Sequence, residues 1–385
     1  MSTPRRVVFR TGLVRLVACL AMVVVWPVAA PAQHPTVYTR GDLKSLERAF
    51  TKLADDVRPS VVAIRTYELG DAELRDGTRV KIAMSSQGSG FIIDADGYIV
   101  TNRHVIEDAG SISVTLHNGL IYNDVELVEA NDLADLAVLK IDAPGLHPIR
   151  WGDGAKLKVN QWAFACGNPF GLANYGGRPS VTFGVVSALR RNLRFRLTHG
   201  IASELHAYAN LIETSAAINP GSSGGPLFDI DGKVIGIVTA IETTSGVNEG
   251  LGFAIPVDTR MRGIIDRLKA GEEIRYGFLG VQVDAVGGER ARRGAARAPY
   301  RGAVITRISV AEGPAAKAQL RPNDVVIEFD GVPVEDPDDL IRLVGFTPAG
   351  TRATVTFLRR GVKHETVVTL GDRDKLFPFA DRDIE

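Results

Sequence analysis

Cysteine is almost missing from this sequence. Of 385 residues, only Cys19 and Cys166 are cysteines. Cys19 lies inside an N-terminal apolar run, so removal of that run would leave Cys166 alone and exclude an internal disulfide. A chain outside the cytoplasm does not require one. Net charge is missing too, because 45 Lys and Arg balance 45 Asp and Glu. That balance removes any global electrostatic case for a nucleic-acid partner or an acidic membrane surface. Aromatic residues are few at 7%, whereas glycine reaches 40 residues and apolar types 45%. Such a chain can bury real cores, is long enough for two or three domains, and fits a mostly β architecture with many turns.

The N-terminus breaks the even charge pattern. Arg5, Arg6, Arg10 and Arg15 precede an uncharged apolar run over residues 16–32, which ends in Ala30-Pro31-Ala32. This order is that of a secretory signal. The other reading is an uncleaved membrane anchor over residues 16–32, at the short end of the spanning range and interrupted by Pro27 and Pro31. Either way the bulk of the chain lies outside the cytoplasm, because arginines keep their own side inside.

Residues 33–60 read as a linker followed by a helix over 42–57, with Leu43, Leu46, Phe50 and Leu53 at helical spacing and Pro59 ending it. Short apolar or alternating strands follow, among them Val61-Val62-Ala63-Ile64, Phe91-Ile92-Ile93 and Leu136-Ala137-Val138-Leu139. Turn signals such as Ala95-Asp96-Gly97 separate them. Many short strands over residues 61–270 predict β-barrels or sandwiches, closed by an amphipathic helix over 257–270. Two stretches lack the rhythm and read as long loops, residues 68–87 and the arginine-rich 190–209. A second domain spans 274–371, with an arginine- and glycine-rich loop at 287–301, and a charged tail fills 372–385.

The chemistry concentrates in Asn219-Pro220-Gly221-Ser222-Ser223-Gly224-Gly225-Pro226. Glycines permit a sharp turn whose N–H groups face outward, so the amides of Gly221 and Ser223 can share one oxygen as an oxyanion hole requires. Serine needs a base to take its proton. Of seven histidines, His104 stands apart in Thr101-Asn102-Arg103-His104-Val105, at the end of a strand. A carboxylate must hold the imidazole. Asp135, at the head of the apolar strand Leu136-Ala137-Val138-Leu139, fits that role, and Asp132 is the second choice.

These motifs, together with Gly167-Asn168-Pro169-Phe170-Gly171 and Ala216-Ala217-Ile218 before the serine, resemble the HtrA (Deg) serine proteases over about residues 40–370. The resemblance implies a chymotrypsin-like double β-barrel, peptide-bond hydrolysis through an acyl-enzyme, and no metal or cofactor. It makes Ser223 the nucleophile, His104 the general base and acid, and Asp135 the orienting carboxylate. Gly221, Ser222 and Ser223 would form the oxyanion hole, and Ile218 would floor an apolar pocket for the residue before the cut. Ser215 and Ser222 stand where the family often has Asp and Asn. Without a carboxylate at Ser222, activation by clipping is not expected; residues 190–209 and 241–250 are the natural switching loops.

In the second domain, Tyr276-Gly277-Phe278-Leu279-Gly280-Val281 resembles the carboxylate-binding loop of a PDZ domain, with a groove-lining helix over 336–344. Gly277, Phe278, Leu279, Gly280 and Val281 would hold the C-terminal carboxylate of a peptide. Gln319 and Asn323 stand where glycine is usual. The resemblance further implies a periplasmic enzyme acting on unfolded or regulatory proteins. It implies a homotrimer, for which Tyr38 and Phe50 are candidate contacts. Inner-membrane attachment through residues 16–32, one dedicated substrate, and a non-cleaving holdase are the alternatives.

Overall fold

The computed structural model describes residues 39–73, 79–175, 178–199, 202–239, 250–286 and 301–376. The candidate signal or anchor, Tyr38, most of the 241–250 and 287–301 loops, and the last residues of the tail lie outside them. The chain divides into two compact units, Met1–Glu47 and Arg48–Glu385. The helix Arg40–Val57 starts in the first, where Asp42 caps its opening turn by accepting from Thr39 N at 2.7 Å and Thr39 Oγ1 at 2.8 Å.

The second unit is mostly strand. One antiparallel sheet runs in the order Ile121–Tyr122, Ser111–Thr115, Val61–Glu73, Arg79–Ile92, Tyr98–Thr101, Leu136–Lys140, Glu126–Asn131. The other runs Pro226–Phe228, Trp162–Gly167, Ser180–His199, Ala202–Thr214, Gly252–Pro256, Lys233–Thr239, Arg150–Trp151, and it closes because Pro226–Phe228 also pairs with Lys233–Thr239. Closure removes the free edges of this second barrel. The apolar runs explain the packing. Val61, Phe91, Val100, Leu136 and Val138 point into a core shared with the second barrel and the helix Thr259–Lys269. Their neighbours Val62, Ile92, Ile99, Ala137 and Leu139 fill the first barrel's own core. A strand covered on both faces reads as a continuous hydrophobic run rather than an alternating one. Each buried Val, Leu, Ile or Phe side chain contributes about 1.5–3 kcal/mol.

The two stretches expected to be long loops are instead ribbons. Val61–Glu73 pairs with Arg79–Ile92 out to Glu73 opposite Arg79, and Ser180–His199 pairs with Ala202–Thr214 out to His199 opposite Ala202. Charged residues are frequent in both, Glu68, Asp71, Glu73, Arg79 and Lys81 in the first and Arg190, Arg191, Arg194 and Arg196 in the second, and they obscure the strand signal. Backbone pairing holds them without that signal. The second ribbon also bulges between Val186 and Leu193, with Arg190 at φ 58°. Among the described residues, no helix is long and apolar enough to cross a membrane.

The C-terminal part is a sheet ordered Val281–Ala285, Ala303–Ile308, Val325–Phe329, Arg352–Arg359, Val362–Thr369, packed on the helix Pro337–Gly345. Asp336 caps that helix by accepting from Asp339 N at 2.8 Å, and Leu340, Leu343 and Val344 bury its inner face. Gln319 and Asn323 both adopt the left-handed conformation that their glycine-like positions require, at φ 58° and 73°. Arg359 Nη2 donates to Gln319 O at 2.8 Å and Leu320 N to Ala315 O at 3.0 Å, which pins the strained turn. Tyr276 joins this part to the barrels, its hydroxyl accepting from Leu133 N at 2.9 Å.

Candidate active site

His104 sits in a single helical turn, Arg103–Ile106, that follows the strand Tyr98–Thr101, rather than on the strand end itself. Its Nδ1 lies 2.8 Å from Asp135 Oδ2, and its backbone N–H donates to Asp135 Oδ1 at 3.0 Å. Both carboxylate oxygens are thus used by one residue, which fixes ring and backbone together. Asp135 is buried, with its backbone in the left-handed region at φ 50°. Asn102 Nδ2 donates to its carbonyl at 2.9 Å and helps hold that conformation. Asp132, the second candidate, faces away: its carboxylate pairs with Arg103 Nε and is largely exposed.

Burial would by itself lower the His104 pKa, but the charge and hydrogen bond of Asp135 outweigh it and hold the imidazole above its ordinary value. Burial would likewise raise Asp135, and His104 overcomes it, aided by the hydrogen bonds from the Tyr208 hydroxyl and the His104 backbone. Tyr208 donates to Asp135 Oδ2 at 2.7 Å. Its own pKa is pushed up, first by burial and then by the Asp135 charge, so the phenol keeps the proton it donates.

Ser223 is buried in a turn built from backbone rather than side chains. Gly221 and Gly224 take φ 92° and 82°. A Cβ on Gly221 would lie 2.4 Å from Asn168 O, and one on Gly224 2.2 Å from Ser89 O. Ser89 ties this turn to the first barrel. Its N–H donates to Ser223 O at 2.7 Å, and its hydroxyl donates to Gly221 O at 2.7 Å while accepting from Asn168 N at 2.8 Å. Phe170 N–H donates to Pro220 O at 2.8 Å. In a trans peptide the carbonyl and the next N–H point oppositely, so this bond directs the Gly221 N–H away from Phe170.

Comparison with known proteins bears directly on this arrangement. Residues 88–237 match the trypsin-like peptidase domain family and residues 277–370 the PDZ domain family. A periplasmic DegP-like serine endoprotease of Halomonas elongata is 38% identical, over 84% of this chain and 70% of its own length. One from Chlamydia muridarum is 36% identical, over 85% of this chain and 69% of its own. The chain belongs to the HtrA family of serine endoproteases. Among solved structures, the HtrA-type protease AlgW with a tripeptide covers 84% of this chain and 97% of its own, at 33% identity and TM-score 0.64. The serine endoprotease from Yersinia pestis aligns at TM-score 0.54 and 29% identity.

This HtrA-family chain is therefore a serine endopeptidase with a double β-barrel and one PDZ domain. Ile218 is 6% exposed in the core of the second barrel, against Gly252, where a Cβ would come within 2.6 Å of its Cδ1. Ser222 is buried, and its hydroxyl accepts from Asn219 N at 3.4 Å. In the PDZ loop, Gly280 takes φ 84°, Leu279 is buried, and the carbonyls of Leu279 and Gly280 accept from Ala315 N at 2.9 Å and Ser309 N at 2.8 Å. Val281–Ala285 leads from this loop as the edge strand of its sheet. Phe50 packs at 5.1 Å on each of Trp162, Phe164 and Phe183 of its own chain.

The sequence assigned no role to three residues of the site. Ser89 lay at the edge of a supposed loop, although its flanking glycines, Gly88 and Gly90, were a signal of close approach. Gly88 indeed sits where a Cβ would strike Val105 at 2.3 Å. Phe170 and Tyr208 act through contacts across the fold that no local pattern carries. Among the described residues, no group of three or more His, Cys, Asp or Glu could hold a metal ion. The thiol of Cys166 is buried and pushed up to about 12 by that burial, so it is no nucleophile.

Proposed function

We propose that His104, Asp135 and Ser223 are the catalytic triad of a periplasmic endopeptidase that cuts unfolded or regulatory proteins. The observation that carries this reading is the double clamp of Asp135 on His104, through Nδ1 at 2.8 Å and the backbone N–H at 3.0 Å. That clamp puts the proton on Nδ1 and leaves Nε2 as the base. In the proposed reaction Ser223 Oγ attacks the scissile carbonyl while Nε2 takes its proton. The amide N–H groups of Gly221 and Ser223, with Ser222 between them, stabilise the oxyanion. Collapse expels the amine with the proton from Nε2, and water, activated by the same nitrogen, hydrolyses the acyl-enzyme. Ile218 is the proposed floor of the pocket for the residue before the cut, favouring small aliphatic side chains.

The PDZ domain is proposed to take peptide C-termini at Gly277, Phe278, Leu279, Gly280 and Val281, the peptide adding as a strand beside Val281–Ala285. The position of that strand at the edge of its sheet, among the described residues, supports this. A homotrimer is proposed through the face around Phe50, where Trp162 and Phe183 are 41% and 60% exposed beside it. The N-terminal run is the proposed export signal or inner-membrane anchor. The test is digestion of β-casein by the chain from Gln33 onward, with Ser223→Ala alongside and C-terminal peptides added in turn. Cleavage by wild type and none by Ser223→Ala is expected, with stimulation by peptides. Turnover by Ser223→Ala at the wild-type rate would sink the triad.

A further inference from the structure

Between the second barrel and the PDZ helix Pro337–Gly345 lies a cavity of about 570 Å³, within the size range of small-ligand sites. Leu211, Ile255, Met261, Ile341 and Phe346 give it apolar walls. Three arginines line it: Arg260 on the barrel helix Thr259–Lys269, Arg342 on the PDZ helix, and Arg373. Arg260 Nη1 and Arg342 Nε are buried, and neither has a hydrogen-bond partner among the described residues. Arg342 is only 12% exposed, and among the described residues its one ion pair is a 3.3 Å contact with Asp339 on its own helix. Burial, and then the positive charge of Arg342, hold Arg260 below its ordinary pKa, against the opposing charges of Asp258 and Asp330. Of the two carboxylates lining the cavity, Asp258 is committed to capping its helix, accepting from Met261 N at 2.8 Å.

Three arginines against two carboxylates, Asp258 and Asp338, leave the lining with excess positive charge and with buried N–H groups of Arg260 and Arg342 unmatched, an arrangement that an added anion would relieve. We propose that this cavity is a binding site for a small amphipathic carboxylate, its head between Arg260 and Arg342 and its apolar body on Leu211, Ile255 and Met261. The site is separate from the PDZ loop, since none of residues 277–281 lines it. It borders the catalytic machinery instead: Leu133 and Ala134, which lead into Asp135, and Tyr208, which donates to that carboxylate, form part of its wall.

The test is calorimetric titration of the full-length chain carrying Ser223→Ala with decanoate, decanol and inorganic phosphate. Decanoate is expected to bind one per chain, at least about 10-fold tighter than either of the others, because only it supplies both charge and apolar body. Arg260→Gln and Arg342→Gln should each weaken decanoate by about 10-fold or more and leave decanol unchanged. Decanoate held by the PDZ loop would be untouched by either change, since that loop binds through backbone N–H groups. Ile341 is 53% exposed, so Ile341→Asp adds a repelling charge at the wall without disturbing a core and serves if an arginine variant fails to fold. Equal binding of decanoate and decanol, phosphate binding as tight as decanoate, or full decanoate affinity in these variants would each overturn the proposal.

Discussion

The two sides of the catalytic cleft are held by different means. On the first barrel, His104 and Asp135 are fixed by side-chain chemistry: one carboxylate takes three hydrogen bonds, from the His104 ring, the His104 backbone and Tyr208. On the second, Ser223 is fixed by backbone: two glycines at positive φ, and carbonyls held by Ser89 and Phe170. The first arrangement tunes protonation, and the second fixes the proposed nucleophile and the amides beside it. Side-chain changes should therefore alter chemistry on the first side and leave the fold, whereas adding a single carbon on the second side should alter the fold itself.

The largest effect expected is at the nucleophile. Ser223→Ala should lower kcat by on the order of 10⁶, as loss of a triad serine does, with the melting temperature and C-terminal peptide affinity unchanged. Asp135→Asn should follow with a loss of roughly 10⁴ in kcat, because the amide cannot hold the required tautomer. Both are read in single-turnover hydrolysis of a peptide ester, and a loss below about tenfold in Asp135→Asn would show that the clamp does not orient the base.

Gly224→Ala tests the other side. The new Cβ would sit 2.2 Å from Ser89 O at a backbone φ of 82°. Strain at such a position costs about 1–3 kcal/mol before any steric term, so thermal unfolding should shift down along with activity. An alanine variant of normal stability and low activity would reverse the contrast between the two sides.

The sequence displayed this contrast unevenly. Ser223 and its glycines were legible because a backbone-built turn must be written in glycine, and His104 because a polar motif ends an apolar strand. The buried strands were legible from their unbroken apolar runs, as at Val61-Val62-Ala63-Ile64. The ribbons at 68–87 and 190–209 were not, because backbone pairing between their arms carries no residue-type signal and their charged residues read as loop. Tyr208 was hidden inside the second ribbon, some seventy residues from the carboxylate it supports. Ser89 and Phe170 work through a hydroxyl and a backbone N–H, groups whose partners only the fold chooses.

The smallest effect, and the most discriminating, concerns that tyrosine. A hydrogen bond to a charged group contributes about 1.5–3 kcal/mol, so Tyr208→Phe should lower kcat by about tenfold or more with little change in KM. Its pH profile separates positioning from bulk packing. In wild type the Asp135 charge raises the His104 pKa above its ordinary value. The base works only when neutral, so kcat/KM should rise with pH through a midpoint above about 6.5. Folding stability should run the opposite way. The protonated imidazole is favoured by Asp135, so that contribution is complete below the unfolded pKa and fades as pH rises through the folded one. Removing the Tyr208 hydroxyl leaves more of the Asp135 charge to His104, and both midpoints should move further up. A Tyr208→Phe enzyme slowed at every pH but with its midpoints unmoved would assign Tyr208 to packing alone, and the side-chain network of the first barrel would then reduce to His104 and Asp135.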